Sequence, residues 1–189
     1  MKYKTVVIDS PWPIKINNPP KSMEGGCRLR TEIPYKVSSM SDILSFPIDD
    51  YAAEDCQLFI WVTTGKAEDI PTIHHAFHML ERWGFTYHQL ITWVKTSGFA
   101  MFSPIRSMTE HVIYGYRGKL AEGYNCMNNV FTTSQMKHSE KPARFYQLLR
   151  AWTPPPRIDI FARNAHEGFD GWGDEYVGEG ALAPYLKEK

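Results

Sequence analysis

The segment Thr5-Val6-Val7-Ile8-Asp9-Ser10-Pro11-Trp12 decides how the rest of the chain is read. Val6, Val7 and Ile8 are β-branched and uninterrupted, the pattern of a strand buried on both faces. Open α/β sheets built from such strands bind their ligands where the strands end at the carboxyl edge, and Asp9-Ser10-Pro11-Trp12 stands there. Asp9 offers an acceptor, Pro11 stiffens the turn and orients the Ser10 carbonyl, and Trp12 offers a flat apolar face. These groups suit a planar heterocycle with an amino substituent. One amino hydrogen goes to the Asp9 carboxylate, the other to a backbone carbonyl, and the ring lies on the indole. The nitrogen lone pair is then drawn out of the ring and aimed at an electrophile. The competing structural reading is a proline turn after a strand, with Trp12 plugging the core.

Outward from that segment, strands and helices alternate, which argues for an α/β sheet domain. Pro13 to Ser39 contains Pro13, Pro19, Pro20, Pro34 and Gly25-Gly26 and sustains no period, so it reads as a long loop at 13–39, whose position favours a substrate-gripping loop over a passive insertion. Ser41 to Leu44 reads as a short capped helix. Gln57 to Thr63 reads as a buried strand, and a helix from about Ala67 to Trp83 carries Ile70, Ile73, Phe77, Leu80 and Trp83 at helical spacing before Gly84. Phe85 to Lys95 and Glu110 to Arg117 read as an antiparallel pair around a surface connection, Ser97 to Met108, in which Arg106 is placed to meet phosphate. Val130 to Thr133 is a weak strand. A helix follows from Pro142, in its first turn, through Trp152, and Arg157 to Phe161 is another buried strand before a glycine-rich carboxyl segment.

Composition narrows the classes further. A chain of 189 residues with 43% hydrophobic and 22% charged residues has the length of one ordinary folded domain, 1–189. Cys27, Cys56 and Cys126 have no paired spacing, so a disulfide framework or zinc knuckle is not indicated and a reducing cytoplasm is the simplest setting. Neither a leader peptide nor a membrane span is expected. His74 and His78 lie four apart on a helix, but with no carboxylate or cysteine at matching spacing an ordinary surface pair is the better reading than a metal site. The net charge is zero, yet the stretch from Pro13 to Lys36 holds five basic residues, Arg28 and Arg30 among them, against two acidic ones. That segment carries +3 beside the tetrapeptide, and the rest carries −3.

The tetrapeptide resembles Asp-Pro-Pro-Trp, the catalytic signature of methyltransferases acting on exocyclic amino groups of adenine or cytosine, with Ser10 in place of the first proline. Further matches follow in order: Pro34-Tyr35, Met40-Ser41, Trp93-Val94-Lys95, Glu110-His111, His138-Ser139-Glu140-Lys141-Pro142, Phe161-Ala162-Arg163, and Gly168-Phe169-Asp170-Gly171-Trp172-Gly173-Asp174-Glu175. Together they cover nearly the whole chain. On them the chain is identified as a member of the branch founded on the catalytic subunit of the eukaryotic mRNA adenosine methyltransferase, which also holds bacterial and phage DNA adenine methyltransferases.

The resemblance implies a circularly permuted, Rossmann-like α/β methyltransferase fold with the catalytic motif ahead of the cofactor half. The dinucleotide fingerprint Gly-x-Gly-x-x-Gly is absent. The implied cofactor is S-adenosyl-L-methionine, with Ile8, Asp9, His138, Ser139, Lys141, Arg163, Asn164, Asp174 and Glu175 around it. Lys141 suits its carboxylate, Asp174 and Glu175 its ribose diol, and Arg163 with Asn164 closes over it. Trp12, Tyr35, Lys95 and Glu110 are the expected base contacts, and no metal is needed. The implied substrate is nucleic acid, DNA ahead of RNA, with no membrane partner and with a homodimer or a related subunit as protein partner. Competing readings are a non-catalytic nucleic-acid-binding subunit of the same fold and methylation of the cytosine amino group.

Overall fold

The computed structural model describes residues 2–14, 38–97, 105–120, 126–134, 140–173 and 176. In chain order the elements are β1 (Tyr3–Ile8), α1 (Met40–Leu44), α2 (Ile48–Tyr51), β2 (Ala52–Val62), β3 (Lys66–Ala67), β4 (Ile70–Pro71), α3 (Thr72–Arg82), β5 (Thr86–Lys95), β6 (Thr109–Arg117), β7 (Val130–Thr133), α4 (Ala143–Trp152), β8 (Arg157–Ile160) and β9 (Asp170–Trp172). Seven strands form one sheet in the order β7-β5-β6-β2-β1-β8-β9, and β3 and β4 make a separate small hairpin. In the large sheet β6 runs antiparallel to both its neighbours and the other pairings are parallel. The fold is a Rossmann-like α/β sheet.

Its topology creates the expected crevice. β1 passes to β2 on one side, whereas β8, which pairs with β1 on the other side, passes to β9 in the opposite direction. Ligands of open α/β sheets bind where strand order diverges in this way. The strand that bears Asp9 comes first in the chain yet lies inside the sheet, while β8 and β9 come near the end, which is the permuted order. The Asp9 N–H donates to the Ile160 carbonyl at 3.2 Å, so the ends of β1 and β8 are tied together. Phe161, just past β8, takes φ +62. A bulky residue there costs about 1–3 kcal/mol, a strain that clusters at functional sites.

Alternation along the strands sorts the core into two layers. Val6, Ile8, Leu58, Ile60 and Ile113 pack with Ala76, Met79 and Leu80 of α3. Val7, Phe59, Trp61, Trp93, Val112 and Tyr114 pack with Phe145, Tyr146 and Leu149 of α4.

The antiparallel pair of β5 and β6 and the strand at 130–133 match the sequence reading. Other boundaries move. β2 starts at Ala52, five residues before the expected start, because its first turn of strand is exposed at Glu54 and Asp55 and lacks the apolar run that marks its end. The expected helix from Ala67 begins only at Thr72, since Glu68 and Asp69 take positive φ in the hairpin turn and Pro71 occupies the cap position. Ser39, and not Ser41, caps α1, its hydroxyl accepting from the Asp42 N–H at 3.1 Å. Pro142 likewise precedes α4 instead of lying in its first turn. β9 has only three residues, too few to show a period in the glycine-rich segment. Among the described residues no helix is long and apolar enough to cross a membrane.

Candidate active site

Strand register assembles the site at the carboxyl edge of the sheet. Asp9 lies two residues beyond Val7 and Lys95 two beyond Trp93. Glu110 stands opposite Trp93 and two residues before Val112. Val7, Trp93 and Val112 all face α4, so period-two alternation turns Asp9, Lys95 and Glu110 to that same side. Lys141, two residues ahead of α4, enters from above them.

The four side chains form an alternating chain of charge. Lys95 Nζ lies 2.6 Å from Glu110 Oε1, Lys141 Nζ 3.5 Å from Glu110 Oε2, and Lys141 Nζ 2.9 Å from Asp9 Oδ1. Both ammonium groups also sit over indoles, Lys95 at 5.1 Å from the Trp93 ring and Lys141 at 5.3 Å from that of Trp61. Those indoles meet edge to face at 6.1 Å. An uncompensated charge in such a setting costs several kcal/mol. Here each charge has an opposite neighbour. Burial opposes the Lys141 charge, but Asp9 and Glu110 outweigh it and hold this lysine above its usual range. Burial likewise works against the Glu110 carboxylate, and Lys141 and Lys95 overcome it and lower its pKa. Lys141 and Glu110 are thus each held in the charged form by the other and by their outer neighbours. Lys141 engages Asp9 through Oδ1, and 14% of the Asp9 side chain is exposed.

The tetrapeptide turns tightly. The Trp12 N–H donates to the Ser10 carbonyl at 2.8 Å and the Ile14 N–H to the Trp12 carbonyl at 2.8 Å. The Ser38 N–H donates to the Pro11 carbonyl at 3.1 Å. The chain that leaves after Ile14 thus returns to the tetrapeptide. The Ser10 carbonyl, expected to accept an amino hydrogen, has one lone pair engaged and one remaining. The Ser10 hydroxyl is buried with no hydrogen-bond partner.

Trp12 departs from the expected open platform. It is 3% exposed, its Nε1–H donates to the Trp61 carbonyl at 3.2 Å, and its ring stacks on His75 at 6.2 Å. The indole packs on the α3 side, because its nearest partners are the end of β2 and a buried histidine. Lys95 and Glu110 are brought to the site, but each takes the other as its nearest charged partner. Ile8 is fully buried at the end of β1. Arg163 is half-buried past β8, near enough to Lys141 to oppose its charge, and Asn164 is exposed beside it. Arg106 is exposed in the turn before β6, where the Lys95 N–H bonds the Met108 carbonyl at 2.8 Å. Arg28, Arg30, Tyr35, His138, Ser139, Asp174 and Glu175 lie outside the described residues. His74 and His78 are exposed on α3, and among the described residues no three metal-binding side chains cluster.

Sequence reading passed over Asp159. It lies in β8 opposite Val7, is 3% exposed, and accepts the Tyr146 hydroxyl on Oδ2 at 2.7 Å, while its Oδ1 has no partner. Burial, with Asp9 adding to it, pushes its pKa up to about 8 against the smaller opposing effects of Tyr146 and Lys141. His166 stacks on Tyr146 at 3.4 Å between ring centroids, and burial pushes its pKa down to about 4. The available signal was an acid inside the apolar run Arg157-Ile158-Asp159-Ile160, where a buried charge needs a reason.

Relatives include the type II methyltransferase M.MunI of Mycoplasma sp, 28% identical over 92% of this chain and 78% of that protein. An N6-methyladenosine RNA methyltransferase MTA1 of Cryphonectria parasitica is 27% identical over 93% of the chain and 52% of that protein. An N(6)-adenosine-methyltransferase MT-A70-like protein of Arabidopsis thaliana is 25% identical over 93% of the chain and 24% of that protein. The chain thus spans most of the first of these and from a quarter to about half of the other two. The MT-A70 family model matches residues 3–175, from the start of β1 to beyond β9, and the chain belongs to that family.

Proposed function

We propose that this chain transfers a methyl group from S-adenosyl-L-methionine to the exocyclic amino group of adenine in nucleic acid, with DNA preferred over RNA. The observation that carries the reading is Asp9. It stands at the carboxyl end of an inner strand with Oδ1 2.9 Å from the Lys141 ammonium, and in this reading Oδ2 takes an amino hydrogen. Residues 1–189 act as one methyltransferase domain, and 13–39 serve as its substrate loop.

The residues fit the cofactor. Its amino-acid end carries one cation and one anion, and the crevice between β1 and β8 supplies both counterparts. Lys141 has three donor hydrogens and two carboxylate neighbours among the described residues, which leaves one for a carboxylate. Asp159 Oδ1 is buried without a hydrogen-bond partner, and a cation bound beside it would favour the carboxylate over the acid. When bound, the cofactor supplies a sulfonium methyl as the electrophile. Asp9 then orients the amine, accepts its hydrogen bond, and stabilises the positive charge that develops on nitrogen. His138, Ser139, Arg163, Asn164, Asp174 and Glu175 complete the cofactor site in this reading. Tyr35 receives the base, which has to leave a duplex stack to reach Asp9. Arg28, Arg30 and Arg106 meet phosphates. The preference for DNA rests on the resemblance to bacterial and phage DNA adenine methyltransferases and on the similarity to a type II methyltransferase.

Asp9→Ala tests the reading. Turnover should fall at least about a hundredfold, the scale for loss of one preorganised polar partner. Calorimetry should show S-adenosylhomocysteine bound within a few-fold of the parent. Turnover near the parent rate would remove Asp9 from the mechanism.

A further inference from the structure

Lys95 is the buried charge that the proposed reaction does not yet use. It is the last residue of β5 and only 8% exposed. Lysine is almost never buried this far without a partner. Its partner is Glu110, and the distances along the chain of charge are unequal. Glu110 holds Lys95 at 2.6 Å and Lys141 at 3.5 Å, whereas Lys141 lies 2.9 Å from Asp9. Glu110 is thus shared between two lysines, and Lys141 between two carboxylates. Each shared group sits closer to its outer neighbour. The 2.6 Å contact is a charge-assisted hydrogen bond, so Lys95 fixes Glu110 through Oε1 while Oε2 faces Lys141 at longer range. Lys141 is left to Asp9.

We propose that Lys95 is a positioning residue that, by engaging Glu110, keeps Lys141 seated on Asp9 and so fixes the acceptor geometry presented to the target amine. The inference rests on the methyltransferase reading for its effect on rate, but not for its effect on Lys141. Lys95 touches no reacting atom. Without it, Glu110 has one cation left, Lys141, and draws it along β6 away from Asp9. The indoles of Trp61 and Trp93 flank the two ammonium groups. Arginine keeps the fixed charge next to Glu110. Methionine keeps the apolar stem against Trp93 and loses the charge.

The test is a double-mutant cycle of Lys95→Met and Glu110→Gln, with Lys95→Arg as the conservative variant. Lys95→Met should lower kcat about tenfold, within the range of coupling between contacting groups. KM for the nucleic acid should stay within about twofold, as for a group that does not bind substrate. Lys95→Arg should restore most of the rate, and the double variant should be no slower than Glu110→Gln alone. An activity-independent readout is the side-chain ammonium nitrogen resonance of Lys141, which should move in Lys95→Met and return in Lys95→Arg.

Additive losses in the double variant would overturn the proposal. So would a raised KM at unchanged kcat, which would make Lys95 a base contact. A Lys95→Met chain that fails to fold would make the pair a structural support only, which also overturns it. A parent chain that methylates no adenine removes the proposed function, and the Lys141 resonance then decides alone whether the brace exists.

Discussion

Asp159 shows how far one side chain can depart from what its strand suggests. Its neighbours Ile158 and Ile160 belong to the core, and sequence alone reads the run as apolar. In the fold its pKa is raised to about 8 from an ordinary value near 4. The folded state therefore holds a proton that the unfolded chain releases above about pH 4. Stability from this group is fully present below that pH and is lost as pH rises through about 8. Asp159→Asn should remove this loss, so the thermal midpoint of the variant relative to the parent should be higher at pH 8 than at pH 5. Equal differences at the two values, measured by calorimetry, would show that Asp159 is ionised throughout. Ser10 is a residue whose consequence was legible in part. The altered tetrapeptide is visible in the chain, but its orphaned hydroxyl follows only from packing. Trp12 illustrates the limit. Its chemistry suits a stacking platform, and only the fold shows it committed to Trp61 and His75.

At the scale of elements, what was legible followed periodicity. The inner strands announced themselves by continuous apolar runs, β-branched in β1, and α4 by apolar residues at helical spacing. The hairpin of β3 and β4 and the early start of β2 did not, because two-residue strands have no period and exposed strand residues look like loop. Tight turns are similarly invisible until the backbone is known. Gly118, directly after β6, takes φ +69, and a Cβ there would lie 2.6 Å from the Glu54 carbonyl and 2.2 Å from Asp55 Oδ1. The same turn lets the Lys119 N–H donate to Asp55 at 2.8 Å, closing the end of β6 on the start of β2. Gly118→Ala should cost about 1–3 kcal/mol in urea unfolding, the scale of a non-glycine residue forced into the left-handed region with a clash. Methylation should be little changed, since this turn lies at the edge of the sheet opposite Asp9. A variant as stable as the parent would mean that the turn rearranges freely.

At the scale of the whole molecule, the order of motifs along the chain carried the fold, and register carried the site. Asp9, Lys95, Glu110 and Lys141 are far apart in sequence, and no periodic signal joins them. Their meeting depends on β5, β6, β2 and β1 pairing in one register, with α4 laid across that face. In the proposed function this meeting point holds an adenine amino group. The most direct measurement incubates the parent chain with methyl-labelled S-adenosyl-L-methionine and, separately, DNA and RNA of mixed sequence, then digests each to nucleosides and identifies the labelled product by chromatography. The account expects label in N6-methyladenine, with more in DNA than in RNA. Label in N4-methylcytosine, or no labelled nucleoside from either polymer, would contradict it.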